Sequence, residues 1–432
     1  MKFYIVLAAV FLTAAAHAQT DLFPSPAIEQ ARTALARGDT AEAGRFLALV
    51  DETAVDINDL DFLRGTLAFE TKNYREAIDR FGRILARDPS LNRVRLELAR
   101  ARFLAGDDGE AERQFRAAIA AGVPPPVARN ISGFLGELRR RRHWDFDFGA
   151  GIAADSNVNV ATSAQTVDIF GLPFQIDQSA RKTSGMGLAL NGSGNYQWDI
   201  VDDIRLKAGG TFYDAEYKTR DFVDRQLGLY IGPRFLLDNN AEISVLATSA
   251  RRWVGGKNLT EAYGARIEGE KPLGTRFLFN GALSWQDQSY MRPQYDDYSG
   301  NIMSANGVLT YAQAGGFLRG VAGVVREQAR IAPLRDTQYI LGAGIYRHTL
   351  PWRFSGYLST QLGLVCYDAP LAAFARTRHD TQIDTRLSLS NALATLGRFT
   401  PIISYIHSER LSNIPVYAYS RDRFELGFSW IF

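Results

Sequence analysis

The chain has 432 residues, and its 49 basic and 47 acidic side chains leave a formal charge of +2, which argues against a nucleic-acid partner. Cys366 is the only cysteine, so no disulfide framework braces the molecule, and stability must come from a large core or from closed strand pairing. Beyond the first eighteen residues nothing is apolar over the ~18–20 residues that a helix needs to cross a bilayer, so any membrane crossing falls to strands closed into a barrel.

Residues 1–18 read as a secretory signal peptide. Lys2 supplies the positive start, Phe3–Ala16 the apolar run, and Ala16-His17-Ala18 a small-x-small cleavage site. Cleavage there leaves Gln19 first rather than a cysteine, so no lipid anchor is expected.

Residues 19–126 repeat. Ala43, Ala77 and Ala111 stand 34 residues apart (77−43 and 111−77), with Glu42, Glu76 and Glu110 before them and Leu47, Phe81 and Phe115 after them in register. That period, with small residues at fixed places, predicts a tetratricopeptide α-solenoid in the periplasm. The clearest copy spans 58–90 and stops at Pro89; Gly65 and Ala68 are the small residues where its two helices approach. A third copy turns at Gly106-Asp107-Asp108-Gly109, and the first, from about Pro26 to Glu52, is the weakest. Such arrays commonly bind peptides on their concave face, although three copies could also serve as a plain spacer. Pro124-Pro125-Pro126 closes the array. A basic linker helix over 127–142 follows, ending in Arg139-Arg140-Arg141-Arg142, a run expected to be solvated or to meet lipid headgroups.

From residue 143 to 432 the apolar period becomes two. Trp144, Phe146, Phe148, Ala150 and Ile152 share one side of a strand, with Asp145, Asp147, Gly149 and Gly151 on the other. The same split recurs in Ile204–Phe212, Tyr263–Ile267, Ile383–Leu389 and Phe424–Phe432. One greasy face and one charged or small face suit lipid outside and a wet lumen inside. Fourteen strands are expected: 144–154, 180–197, 203–217, 221–237, 242–253, 259–272, 276–287, 298–312, 317–326, 336–350, 352–366, 378–391, 398–407 and 420–432. The fold class is therefore α plus transmembrane β: a solenoid followed by a 14-stranded antiparallel outer-membrane barrel, with both barrel ends on the periplasmic side. The short link at 218–220 breaks the alternation of long and tight connections.

No catalytic arrangement is visible, so no enzyme activity, cofactor or metal is expected. His143, His348, His379 and His407 fall on separate segments without metal-ligand spacing, and no Gly-x-Ser-x-Gly elbow occurs. Cys366 is expected to be a packed small residue. Asp155-Ser156-Asn157-Val158-Asn159 follows the first strand at once, and short polar side chains of this kind shape turns through local hydrogen bonds.

A signal peptide, a short tetratricopeptide array, a basic helix, a strand from Trp144, the Asp155–Asn159 loop and a terminal Phe432 together resemble the surface lipoprotein assembly modifiers. The resemblance implies a fourteen-stranded barrel that promotes export of a secreted or surface lipoprotein client. It makes Asp155, Ser156, Asn157 and Asn159 a family-signature loop with a client or gating role. It also makes Phe432 the aromatic signal read by the barrel-assembly machinery. Partners are then the client, that machinery and outer-membrane lipid. The family brings no catalytic residues. A polysaccharide exporter, in which repeats feed a glycan through a porin-like barrel, is the alternative, although such exporters usually carry longer arrays. A plain diffusion pore would leave the repeats without a purpose.

Overall fold

The computed structural model describes residues 25–237, 240–274, 276–313, 315–347, 350–391, 394 and 400–431. The signal peptide and Phe432 lie outside the described residues, as does His348. The chain forms two compact units that divide between Gln114 and Phe115, inside a helix rather than at the prolines.

The first unit holds helices α1 (Pro26–Ala36), α2 (Thr40–Ala48), α3 (Ile57–Glu70), α4 (Tyr74–Arg87), α5 (Asn92–Ala105) and the start of α6 (Asp108–Ala121). The 34-residue period has a local cause. Asp39 and Asn73, 34 apart, cap α2 and α4 by accepting from the backbone N–H of Glu42 and Glu76, the acidic residues of the repeat. The repeat alanines Ala43, Ala77 and Ala111 are fully buried. Gly65 lies under Phe81, where a Cβ would come within 2.7 Å of the ring, so α3 and α4 meet at a distance that only glycine allows. Asp61, buried in α3, accepts from Arg80 at 3.1 Å and from Arg87, both on α4. Burial opposes its ionisation, but the bonds from Arg87 and Arg80 win and hold its carboxyl below the ordinary carboxylate range.

The second unit begins with the end of α6 and α7 (Pro125–Arg141), which starts on the second proline because a first-turn proline gives up no needed N–H. Phe134 of α7 stacks on Phe115 of α6 with centroids 5.0 Å apart. The chain then enters the sheet: β1 (Trp144–Asp155), the small hairpin β2 (Thr166–Ile169) and β3 (Leu172–Gln175), and β4 (Gly185–Val201). The meander continues as β5 (Ile204–Tyr217), β6 (Asp224–Leu236), β7 (Glu242–Val254), β8 (Lys257–Leu273), β9 (Phe277–Tyr290) and β10 (Gly300–Gln313). It ends with β11 (Gly316–Ala329), β12 (Asp336–Arg347), β13 (Phe354–Leu371), β14 (Arg376–Asn391), β15 (Thr400–Ser412) and β16 (Tyr419–Ile431). All but β2 and β3 form one closed antiparallel barrel of fourteen strands, with β1 pairing β16 to complete it.

Both barrel ends fall on one rim, the proximal rim; the far rim is distal. The 218–220 link is a longer turn, over 218–223, and the tightest distal connection is Gly255-Gly256. Both of these glycines have positive φ (+61° and +73°), the pair of conformations a two-residue hairpin with native twist demands. The 155–179 link, expected as plain loop, contains the β2–β3 hairpin.

The two faces separate as the period predicts. Leu227, Leu229 and Ile231 on β6 and Leu283 and Trp285 on β9 are exposed outward, while Gln197, Arg205, Ser244 and Leu246 are buried inside. Lys207 of β5 reaches Glu268 of β8 at 2.6 Å across the interior, over the ring of Tyr230 on β6. A closed barrel with a greasy outside and a charged inside is an outer-membrane architecture. No described helix is long and apolar enough to cross a membrane. Cys366 is not packed: it is exposed, on an outward position of β13 near the distal rim.

Candidate functional site: the barrel seam and its two rims

Asp155 ends β1 facing inward, so its carboxylate lies in the wall where the first strand meets the last. It is buried, which obliges it to find partners. Arg421 of β16 donates its Nε to both carboxylate oxygens at 3.0 Å, Tyr217 of β5 donates its hydroxyl at 3.2 Å, and the Asn157 N–H donates at 2.9 Å. Asn157, fully out of water, gives its Nδ2 to the carbonyls of Ala161 (2.8 Å) and Ser420 (3.1 Å) and takes the Ala161 N–H on Oδ1 (3.0 Å). Ser156 exchanges bonds with Asp422 in both directions: its N–H donates to the Asp422 carbonyl, and its Oγ accepts the Asp422 N–H. Asn159 turns the other way, donating to the Arg181 carbonyl at 2.7 Å and accepting from Thr183 N–H at 3.0 Å. The four polar residues singled out in the sequence thus act together, stitching the end of β1 to β16 on one side and to the approach of β4 on the other.

The rest of the loop crosses the distal rim. The Thr162 hydroxyl bonds the carbonyl of Pro415, between β15 and β16. The Phe170 N–H, at the hairpin tip, donates to Ala373 between β13 and β14 at 2.8 Å. Residues 156–184 therefore form a lid from β1 over the distal ends of β13–β16. Phe170, Leu172 and Phe174 stay exposed on the hairpin.

At the proximal rim α7 makes a second cover. Arg139 ion-pairs with Glu270 (3.3 Å) and Glu242 (4.0 Å) and donates to the Asn240 carbonyl. Arg205 of β5 donates to the carbonyls of Arg142 (3.1 Å) and Arg140, satisfying the helix end. Those barrel side chains point inward, so α7 lies across the proximal mouth. The basic run is not wholly solvated: Arg139 is docked at the proximal rim, while Arg140, Arg141 and Arg142 are exposed.

Arg421, Tyr217 and the acidic residues under α7 were not singled out from sequence. Arg421 sits 266 residues from Asp155; the one usable signal is that an even strand count brings β16 beside β1. His143, His379 and His407 stay on separate strands or links. Among the described residues no group of three or more His, Cys, Asp and Glu side chains is placed to hold a metal ion.

The chain is similar to proteins that share this plan. It is 21% identical to a surface lipoprotein assembly modifier of Moraxella catarrhalis, over 86% of this chain and 73% of that one. Surface lipoprotein assembly modifier 1 of Neisseria meningitidis serogroup B is 23% identical (86% and 75% covered), and the Pasteurella multocida protein is 24% identical (86% and 76%). A solved bacterial polysaccharide outer membrane secretin covers 66% of this chain and 98% of its own at 8% identity and a TM-score of 0.35, too loose a likeness to bear on function. The sequence profile described as surface lipoprotein assembly modifier matches residues 144–432, every strand of the barrel together with the Asp155–Asn159 stitch. The chain belongs to the surface lipoprotein assembly modifier family.

Proposed function

We propose that this protein works in surface lipoprotein assembly, moving an exported client protein across the outer membrane to the cell surface. The family match over the whole barrel carries this reading. The helical unit in front of the barrel supports it: in the periplasm its repeats hold a client and raise its concentration at the proximal mouth. The polar lumen offers a path on which backbone groups stay hydrogen-bonded rather than bare in lipid. Outer-membrane lipid surrounds the apolar belt, and the barrel-assembly machinery inserts it. With no nucleotide outside the inner membrane, folding of the client at the surface supplies direction.

The test is an epitope-tagged surface lipoprotein expressed with and without this chain, read by antibody labelling of intact cells. Labelling should depend on the chain while total client stays constant. Labelling that is equal in both strains would overturn the reading, and a loss of surface glycan instead would favour a polysaccharide exporter.

A further inference from the structure

An outer-membrane barrel keeps both chain ends on the periplasmic side, so its distal edge stands among the headgroups of the outer leaflet. Side chains on the outer wall at that edge meet phosphate and sugar rather than hydrocarbon. On β9, β10 and β12 the apolar belt ends in Trp285, Met303 and Tyr339, all exposed outward. Met303 pairs with Trp285 on one side and with Arg326 of β11 on the other, so Arg326 shares this outer face. Alternation along the strands then puts Asp287 and Ser289 of β9 and Gln328 of β11 on the same face, nearer the rim. An aromatic edge followed by polar residues marks the passage from hydrocarbon to headgroups.

Between β9, β11 and the turn at 330–335 this outer wall holds a pocket of about 440 Å³, to which Arg330 and Arg335 are added from the turn. Its lining carries the guanidiniums of Arg326, Arg330 and Arg335 against a single carboxylate, that of Asp287. Neighbouring groups hold two of the arginines in place. Arg326 donates to Asp368 of β13 at 2.7 Å and to Thr337 of β12 at 3.1 Å, and Arg330 donates to Asp296. A guanidinium has more N–H donors than these contacts use, so both keep donors for a ligand. Arg335 gives its Nε to the Ala329 carbonyl (2.8 Å) and its Nη2 to the Arg330 carbonyl (2.9 Å), so its charge enters the pocket without a carboxylate bonded to it. Planar, oriented guanidiniums in surplus over acids are the chemistry that recognises phosphate, and basic pockets at headgroup level take phosphorylated lipids. Directly below, Leu283, Trp285 and Met303 offer an apolar wall to acyl chains.

We propose that this pocket binds the phosphorylated sugar headgroup of an outer-leaflet glycolipid. The phosphate sits on Arg326, Arg330 and Arg335, and the acyl chains lie against Leu283, Trp285 and Met303. The site lies on the outer wall, and it does not depend on the client-export reading above.

The test titrates the purified full-length protein in detergent with diphosphorylated lipid A and reads the bound lipid by native mass spectrometry. Arg330→Gln changes an exposed turn residue outside the strand ladders, and Arg326→Gln changes the wall itself; heat-modifiable migration on a gel checks that each barrel is folded. Each substitution should weaken lipid binding by about tenfold, the scale of a lost charge-assisted contact to phosphate. Arg225→Gln is the control: this arginine faces outward on β6 at the same edge, is held by Asp214 at 3.1 Å and by Glu216, and lines no part of the pocket. The control should bind lipid A as the unaltered protein does. Lipid A stripped of its phosphates should bind the unaltered protein as weakly as lipid A binds Arg330→Gln, and inorganic phosphate alone should not compete. Equal binding by the pocket variants and the control, or undiminished binding of the dephosphorylated lipid, would overturn the site. Displacement of lipid A by inorganic phosphate would overturn the lipid as its ligand in favour of free phosphate.

Discussion

Donors from three residues, Arg421, Tyr217 and Asn157, converge on the buried Asp155 carboxylate, and that concentration makes it the residue where β1 is most easily loosened from β16. Asp155→Asn leaves the Arg421 guanidinium in the wall without its counter-ion. Breaking one side of a buried ion pair costs about 3–5 kcal/mol, and the partial exposure of Arg421 brings this case toward the lower end. The unboiled barrel, which should run faster on a gel than the boiled one, should therefore lose its folded band at a lower temperature in Asp155→Asn. Asp203→Asn is the matched control, since Asp203 is exposed and only 3.8 Å from an equally exposed Arg140, and such a pair contributes little. Equal melting of the two variants would show that the Asp155–Arg421 pair does not hold β1 to β16.

At the scale of elements, α7 is the part whose position explains most that composition did not. Arg139→Glu sets a third carboxylate against Glu242 and Glu270, so the helix should leave the proximal mouth while the closed barrel persists. Conductance of the purified protein in planar bilayers should rise in the variant, and unchanged conductance would mean that α7 does not restrict the mouth. This docking was not legible in the sequence, because Arg139 meets partners more than a hundred residues away that look like ordinary inward positions. The strands were legible, because each carries its own period of two and needs no distant partner to reveal it. The Asp155–Asn159 stretch was legible as turn chemistry only. Its bonds to Asp155 and Ala161 are local, but those to Ser420, Arg421 and Asp422 exist because β16 closes on β1. The β2–β3 hairpin was hidden by its shortness: four residues a side, with Phe170 at positive φ, give no readable alternation.

In the whole molecule, a repeat unit and a barrel are joined on one chain, and the account gives them separate tasks, capture and passage. Each unit carries its own packing: buried alanines and Phe81 in one, closed pairing in the other. The division at Gln114–Phe115 shows where to cut, since α7 and the end of α6 belong with the barrel. Removing residues 19–114 should leave an inserted, heat-modifiable barrel, because a closed ladder depends on no neighbour outside itself. The most direct measurement is antibody labelling of the tagged client on intact cells carrying this truncation, with barrel abundance measured in the same cells. The account predicts normal barrel levels with client labelling lost; full labelling by the bare barrel would contradict it and reduce the repeats to a spacer.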